Sequence, residues 1–390
     1  MKRICVISGS RADYGLLYWT LTKLKDSSFF ELQICVTGMH LSHEFGMTYK
    51  MIEKDGFKID YKVETLISGD SGASVSKSVG LGIIGFTDVF EKLRPDLLLV
   101  LGDRFEIFSA VSAGMALRIP IAHCHGGELS LGAIDDAMRH SITKMSHIHF
   151  VSTKDYYKRI VQLGEDKSRV FNVGALGIES LKKIKFKSKK QLKNELGINF
   201  LEKSFLITFH PETLNKKTSE SKFAEILKAV DRFENTTLIF TKPNADSEGR
   251  LLIDMIDNYI LKNRFKSFCF KSLGQTNYLS TMSNVNLIIG NSSSGLIEAP
   301  YFKIPTINVG DRQKGRLCGE SVINCKCNYK SIYESIKKGL NANFLESIKN
   351  SKNPYGNSNS SSKIINVLKN KNFKNLINKP FVDIKINKKL

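Results

Sequence analysis

Nowhere in its 390 residues does the chain carry an apolar run approaching the ~20 residues of a membrane-spanning helix. No bilayer span is expected. No GxxxxGKS or GxxxxGKT loop occurs. Gly9-Ser10-Arg11-Ala12-Asp13-Tyr14-Gly15 has the wrong spacing for GxGxxG, with an arginine side chain where a dinucleotide needs close backbone approach. The seven cysteines form no CxxC pair, and Cys325-Lys326-Cys327 has no partner pair, so neither a zinc site nor a disulfide framework is indicated. Missing too are the longer apolar region and small-residue cleavage site of a signal peptide. Met1-Lys2-Arg3 leads directly into Ile4-Cys5-Val6-Ile7, read as a strand, and a cytoplasmic protein is the expectation.

Acid is scarce relative to base, and the net charge is +20. The excess is concentrated in two segments: Lys182 to Lys193 holds seven lysines and no acid, and Lys363 to Leu390 holds eight lysines against Asp383 alone. Both are sparse in aromatic residues, with Phe186 in the first and Phe373 and Phe381 in the second. They read as a solvated connector and a tail rather than a nucleic-acid footprint, and no nucleic-acid partner is expected.

The length allows two domains with their own cores. We expect an N-terminal unit over 1–178, a second over 179–360, and a C-terminal helix packing back, with a basic tail, over 361–390. The first half alternates short apolar strands with helical periodicity, the rhythm of βαβ units and a parallel sheet. Ligands in such sheets bind beyond the carboxyl ends of the strands. Four strand ends here carry Arg11, His40, Asp103 and Glu128. A Ser/Gly-rich segment, Ser68 to Ser76, reads as a mobile loop near the cleft. The densest stretch is His123-Cys-His125-Gly-Gly-Glu128, followed by Asp135-Asp136-Ala-Met-Arg139-His140. Helical spacing puts Asp135 with Arg139, and Asp136 with His140, on shared faces able to point into a cleft. The same residues also suit ordinary N-terminal helix charge with i,i+4 pairs.

A second α/β rhythm starts at Phe205 to Phe209, which ends in His210-Pro211-Glu212-Thr213. Thr237 to Thr241 ends in Lys242-Pro243-Asn244-Ala245-Asp246, and Leu287 to Gly290 in Asn291-Ser292-Ser293-Ser294-Gly295. Small residues at a strand-to-helix junction offer free amides and a helix dipole to a phosphate, although serines there equally cap helices. Glu298, one turn on, is placed to accept both hydroxyls of a ribose. Gly310-Asp311-Arg312-Gln313-Lys314-Gly315-Arg316 suits a diphosphate, or a charged surface loop. Tyr329 to Leu376 reads as helices around an Asn353-Pro354-Tyr355 turn, with the last dozen residues frayed.

Seven motifs in order from residue 1 to about 355, Ser8-Gly9-Ser10-Arg11-Ala12-Asp13-Tyr14-Gly15, Gly102-Asp103-Arg104, His125-Gly126-Gly127-Glu128, Asp135 to Lys144, Phe209-His210-Pro211-Glu212, Gly290 to Gly295 and Gly310 to Arg316, resemble the hydrolysing UDP-N-acetylglucosamine 2-epimerases of bacterial sialic acid synthesis. The resemblance implies two Rossmann-like domains facing across a cleft, the glycosyltransferase-B arrangement. It implies release of UDP and N-acetylmannosamine, a homodimer or homotetramer, and no metal or other cofactor. The family's acid/base carboxylates fall on Asp103, Glu128 and Asp135, with Arg139 beside them and His210 reaching from the second domain. Arg11, Ser292, Ser293 and Ser294 would hold the diphosphate, Glu298 the ribose, and Arg312 and Arg316 are further phosphate contacts. The chain has Leu16 where the non-hydrolysing branch carries a lysine, Asp135 where that branch has glutamate, and Pro211-Glu212 after the histidine. These departures favour the hydrolysing branch.

Three other readings stay open on sequence. A glycosyltransferase of the same architecture would use the same nucleotide half, though several acids around the sugar exceed what simple transfer needs. A nucleotide-sugar sensor would not need Asp103 or Glu128. A branch with similar motifs acts on UDP-N,N′-diacetylbacillosamine on the way to legionaminic acid, and Ser130 to Ile134 and Ser68 to Ser76 are candidates for lining the end of the pocket that tells the two sugars apart.

Overall fold

The computed structural model describes residues 1–67, 69, 71–131, 133–212, 218–243, 249–356 and 359–383. Ser68, Gly132, Thr213, Asn244, Asp246 and the tail from 384 onward, all included in segments singled out above, lie outside them. The described residues form two parallel sheets. The first holds β1 (Lys2–Ser8), β2 (Phe30–Thr37), β3 (Tyr61–Val63), β4 (Leu97–Leu101), β5 (Ile121–Cys124), β6 (Ile148–Val151) and β7 (Val170–Asn172) in the order β3-β2-β1-β4-β5-β6-β7. The second holds β8 (Lys203–Thr208), β9 (Thr236–Thr241), β10 (Ser267–Phe270), β11 (Leu287–Gly290), β12 (Thr306–Val309) and β13 (Val322–Cys325) in the order β10-β9-β8-β11-β12-β13. Both follow the doubly wound rule, so each reverses direction beside its first strand and opens a crevice there, at β1/β4 and at β8/β11.

Helices cover both faces of each sheet, which is why the strands read as continuous apolar runs. In β1, Ile4 and Val6 face the helix Arg11–Lys25 and the C-terminal helix Ser360–Lys369, while Cys5 and Ile7 face the helices Gly72–Leu93 and Phe105–Ala116. That split is the period-2 alternation of a strand. A third core joins the halves, packing Val151, Tyr156 and Ile178 with Leu206, Ile288 and Ile297.

Two expectations need correction, for the segment at 72–76 and for the C-terminal tail. Residues 72–76 are the start of the long helix Gly72–Leu93, not a loop; Ser71 caps it by accepting from the Ser74 amide at 3.1 Å, and Phe86, Val89 and Phe90 bury its apolar face. The lysine-rich connector holds the end of the helix Leu176–Lys183 and the start of the helix Lys189–Leu196, which opens on a capping box formed by Ser188 and Gln191. The segment from Lys379 to Val382 is docked rather than frayed. Lys379 Nζ reaches Ser146 O at 2.7 Å and Glu165 at 3.0 Å, and the Val382 amide donates to Gly164 O at 2.9 Å.

Candidate active site

In the first half the functional side chains sit where strands end. After β1, Ser10 caps the helix that begins with Arg11, a half-buried residue whose Nη1 is buried and unpartnered among the described residues. Burial lowers its pKa. After β4, Gly102 turns with φ +81 and presents Asp103. After β5 the chain folds sharply, with φ +63 at His125 and +77 at Gly127. A Cβ at 127 would stand 2.6 Å from the Tyr156 carbonyl oxygen, so glycine is required.

That fold delivers Glu128, which is almost fully enclosed. The Leu176 amide donates to His125 Nε2 at 3.3 Å. The other ring nitrogen, Nδ1, lies 2.9 Å from Glu128 Oε1. Ser152 donates to the same oxygen at 3.1 Å. Arg139 donates to His125 O at 2.9 Å, to Ser130 Oγ at 3.3 Å and to Asp103, and its Nη1 is 3.9 Å from Glu128 Oε2. Burial alone would raise the Glu128 carboxyl, but His125, Arg316 and Arg139 outweigh it and hold it well below the ordinary carboxylate range. Asp135 opens its helix on the same cavity. Asp136 turns away, accepting from the Ser130 amide at 2.5 Å and lying 3.6 Å from His140, as the i,i+4 spacing implied.

In the second half, Asn291 ties β8 to β11: its Oδ1 accepts from the His210 amide at 2.7 Å and its Nδ2 donates to His210 O at 2.8 Å. The serine run leads into a single helical turn, Ser294–Ile297, followed by a 3-10 turn, Ala299–Tyr301. Ser294 Oγ is engaged by Tyr278 OH at 2.5 Å and Ser292 Oγ at 3.0 Å. Glu298 Oε2 is buried without a partner among the described residues. Its carboxyl is pushed up to about 8, chiefly by burial, with Glu128 adding and Arg316 opposing. The loop 310–316 is anchored by Glu212, which accepts from the Asp311 and Arg312 amides at 2.9 and 3.2 Å and pairs with buried Lys222. Arg312 keeps its Nε buried and unpartnered among the described residues, and Gln313 donates to Asn291 O at 2.7 Å.

The twelve residues that the resemblance assigned to the site all line one cavity of about 280 Å³ between the halves: Asp103, Glu128, Asp135, Arg139, His210, Arg11, Ser292, Ser293, Ser294, Glu298, Arg312 and Arg316. Arg316 departs from the phosphate reading in its direction, because its Nε and Nη2 point to Leu129 O, Ser130 Oγ and Glu128 in the first half. His40 is not at the cavity. It bridges Ser8 Oγ at 2.9 Å and Thr48 Oγ1 at 2.8 Å, and burial lowers its pKa to about 4, so it is a neutral structural residue.

Sequence reasoning missed Asp13, Arg104, Gln275 and Tyr278, which line the same cavity. Asp13 and Arg104 sit inside quoted motifs beside Arg11 and Asp103, a signal that could have found them. Gln275 carries no such mark; it crosses the cleft to Gly15 O at 2.6 Å and Ser180 Oγ at 3.0 Å. Among the described residues no three His, Cys, Asp or Glu side chains group as a metal site. The arrangement sets three carboxylates on one side of a cavity, with guanidinium nitrogens of Arg11 and Arg312 that are unpartnered among the described residues. It suits proton transfer beside a departing anion.

A family model described as UDP-N-acetylglucosamine 2-epimerase matches residues 22–369. A Campylobacter jejuni GDP/UDP-N,N′-diacetylbacillosamine 2-epimerase (hydrolyzing) is 44% identical over 384 residues, covering 98% of this chain and 99% of that one. The Escherichia coli polysialic acid biosynthesis protein P7 is 37% identical, covering 97% of this chain and 98% of that one. Among solved structures, the UDP-GlcNAc 2-epimerase from Neisseria meningitidis bound to UDP-GlcNAc shares the fold with a TM-score of 0.77 at 21% identity, covering 94% of this chain and 99% of that one. The two facing doubly wound sheets are thus of glycosyltransferase-B type, and the chain belongs to the UDP-N-acetylglucosamine 2-epimerase family of enzymes.

Proposed function

We propose that this enzyme is a hydrolysing 2-epimerase that converts UDP-N-acetylglucosamine and water to N-acetylmannosamine and UDP, for the synthesis of sialic-type acids. The C2 hydrogen of the sugar has no adjacent carbonyl, so its removal is coupled to loss of UDP from C1, leaving a 2-acetamidoglucal. Water then adds at C1 while a proton returns to the opposite face of C2. Asp103 and Glu128 serve the elimination: Asp103, which reaches the cavity, takes the C2 proton, and the ionised Glu128 stabilises positive charge growing at C1. Asp135 serves the hydration step. Each acid or base contributes roughly 10²- to 10⁴-fold. Arg11, Ser292, Ser293, Ser294 and Arg312 receive the diphosphate, His210 closes the site from the second half, and Glu298 takes the ribose hydroxyls.

The observation that carries this reading is the convergence on one cavity of Asp103, Glu128 and Asp135 with Arg11 and Arg312, each of which keeps a guanidinium nitrogen unpartnered among the described residues. A second substrate, UDP-N,N′-diacetylbacillosamine, is favoured by the 44% identity to the Campylobacter jejuni relative. Proton NMR in D₂O with each sugar nucleotide in parallel tests both. Release of UDP with a free manno-configured sugar deuterated at C2 supports the epimerase, and the faster tube names the sugar. No reaction in either tube, with UDP still bound, sinks the reading in favour of a transferase.

A further inference from the structure

Arg316 belongs to the second half, yet its side chain, only 6% exposed, is spent on the first. Its Nε donates to Leu129 O at 2.7 Å, and its Nη2 donates to Ser130 Oγ at 3.1 Å and lies 3.4 Å from Glu128 Oε2. Ser130 Oγ also receives Arg139 at 3.3 Å, and Arg139 holds Asp103. An unbroken polar chain therefore runs from the second half to both acids of the elimination. The loop that delivers Arg316 is fixed at each end. Glu212 anchors its start, and at its exit the Leu317 amide donates to Tyr156 OH at 3.1 Å while Tyr355 OH donates to Leu317 O at 2.9 Å. Gly315, with φ +83, lies so close to Leu129 that a Cβ would stand 2.7 Å from Leu129 Cδ1.

We infer that Arg316 is a positioning residue rather than a phosphate contact: it carries the juxtaposition of the two halves to Glu128 and Asp103, so that the acids reach working geometry only when the cleft is assembled. This rests on the epimerase reading above. A guanidinium is suited to the task because its fork engages a carbonyl, a hydroxyl and a carboxylate at fixed angles, which a lysine does not. The groups that face Glu128 are His125 and Ser152, Arg139 from the helix Asp135–Met145, Tyr156 from the helix Lys154–Gln162, Tyr355, Glu298 and Arg316. Among these Arg316 is the cation supplied by the second half. Without it, burial of Glu128 is offset by fewer charges, and the carboxyl is harder to ionise.

The test compares wild type with Arg316→Met and Arg316→Lys in three measurements: the pH profile of kcat, KM for the sugar nucleotide, and calorimetric UDP affinity. The Met variant is expected to lose roughly 10²-fold or more in kcat, as loss of transition-state positioning does, with the acid limb of its profile moved to higher pH and UDP affinity unchanged. The Lys variant is expected to keep the limb near its wild-type place while kcat stays low. A tenfold or greater loss of UDP affinity with the limb unmoved would make Arg316 a phosphate ligand and overturn the inference. A lowered Tm with normal kcat and normal profile would reduce it to packing and overturn it equally. If the Met variant does not fold, the Lys variant decides, since wild-type kcat in it excludes a need for the fork. Inactivity of the wild type on both sugar nucleotides refutes the activity, not the positioning. Glu128 is then followed by ¹³C-carboxyl NMR, assigned with Glu128→Gln, and Arg316→Met must raise its titration.

Discussion

Gly177 leaves the space that the carboxyl of Glu298 fills: a Cβ at 177 would stand 2.1 Å from Glu298 Oε1. The two residues come from opposite halves. Because Oε1 is the end of a flexible side chain, Gly177→Ala is expected to displace the glutamate and leave the helix intact. Alanine in that helix gains about 1 kcal/mol in propensity, so the variant should melt no lower than wild type. If Glu298 holds the ribose, loss of its two hydrogen bonds lowers UDP affinity roughly tenfold, at the ~0.5–1.5 kcal/mol typical of each bond to a neutral group. Calorimetry that returns the wild-type affinity would remove the ribose role.

Glu298 also gives the fold a pH dependence. Its folded pKa, pushed up to about 8 by burial, exceeds that of the unfolded chain, so between the ordinary carboxylate range and about 8 the folded state binds the extra proton. Stability contributed by this group is full below that window and is lost as pH rises through it. Glu298→Gln, which cannot ionise, is expected to raise Tm relative to wild type more at pH 8 than at pH 5. A difference in Tm that is constant across the range would show that the carboxyl is not protonated in the fold.

Asp103 is held by Arg139, whose side chain is 3% exposed. Asp103→Asn keeps the shape and removes the charge. Turnover is expected to fall by at least 10²-fold, the lower range for loss of an acid or base, while UDP affinity stays near wild type because no diphosphate ligand changes. Normal turnover in this variant would take Asp103 out of the chemistry.

The strand ends explain why so much of this site was legible. Apolar runs of three to five residues mark the buried strands β1, β4, β8 and β11, and in a doubly wound sheet the residues just beyond them must converge. The short edge strands β3 and β10 escaped notice because three or four half-buried residues leave no periodic signal. Ser71 and Gly72 looked like loop because Ser and Gly serve caps and loops alike. Arg316 carries a charge that suits a phosphate, and only the path of the loop past Leu129 turns it toward Glu128. Sequence shows which charges a segment owns; their direction depends on contacts between residues some 187 positions apart.

The anchor of that loop is a buried ion pair with a separable second duty. Lys222 and Glu212 are 7% and 1% exposed in their side chains, and the other oxygen of Glu212 accepts the amides of Asp311 and Arg312. Glu212→Met strands the lysine, and breaking a buried pair from one side costs about 3–5 kcal/mol, so a large fall in Tm is expected. Adding Lys222→Met removes the stranded charge and should restore most of the stability, since buried pairs replaced by apolar side chains are often neutral. The amides of 311 and 312 remain without their acceptor in the double variant. UDP affinity should therefore stay low after Tm recovers, with Arg312 no longer held against the cavity. Recovery of both together would mean that the pair supports the fold alone and that the loop finds its place without Glu212.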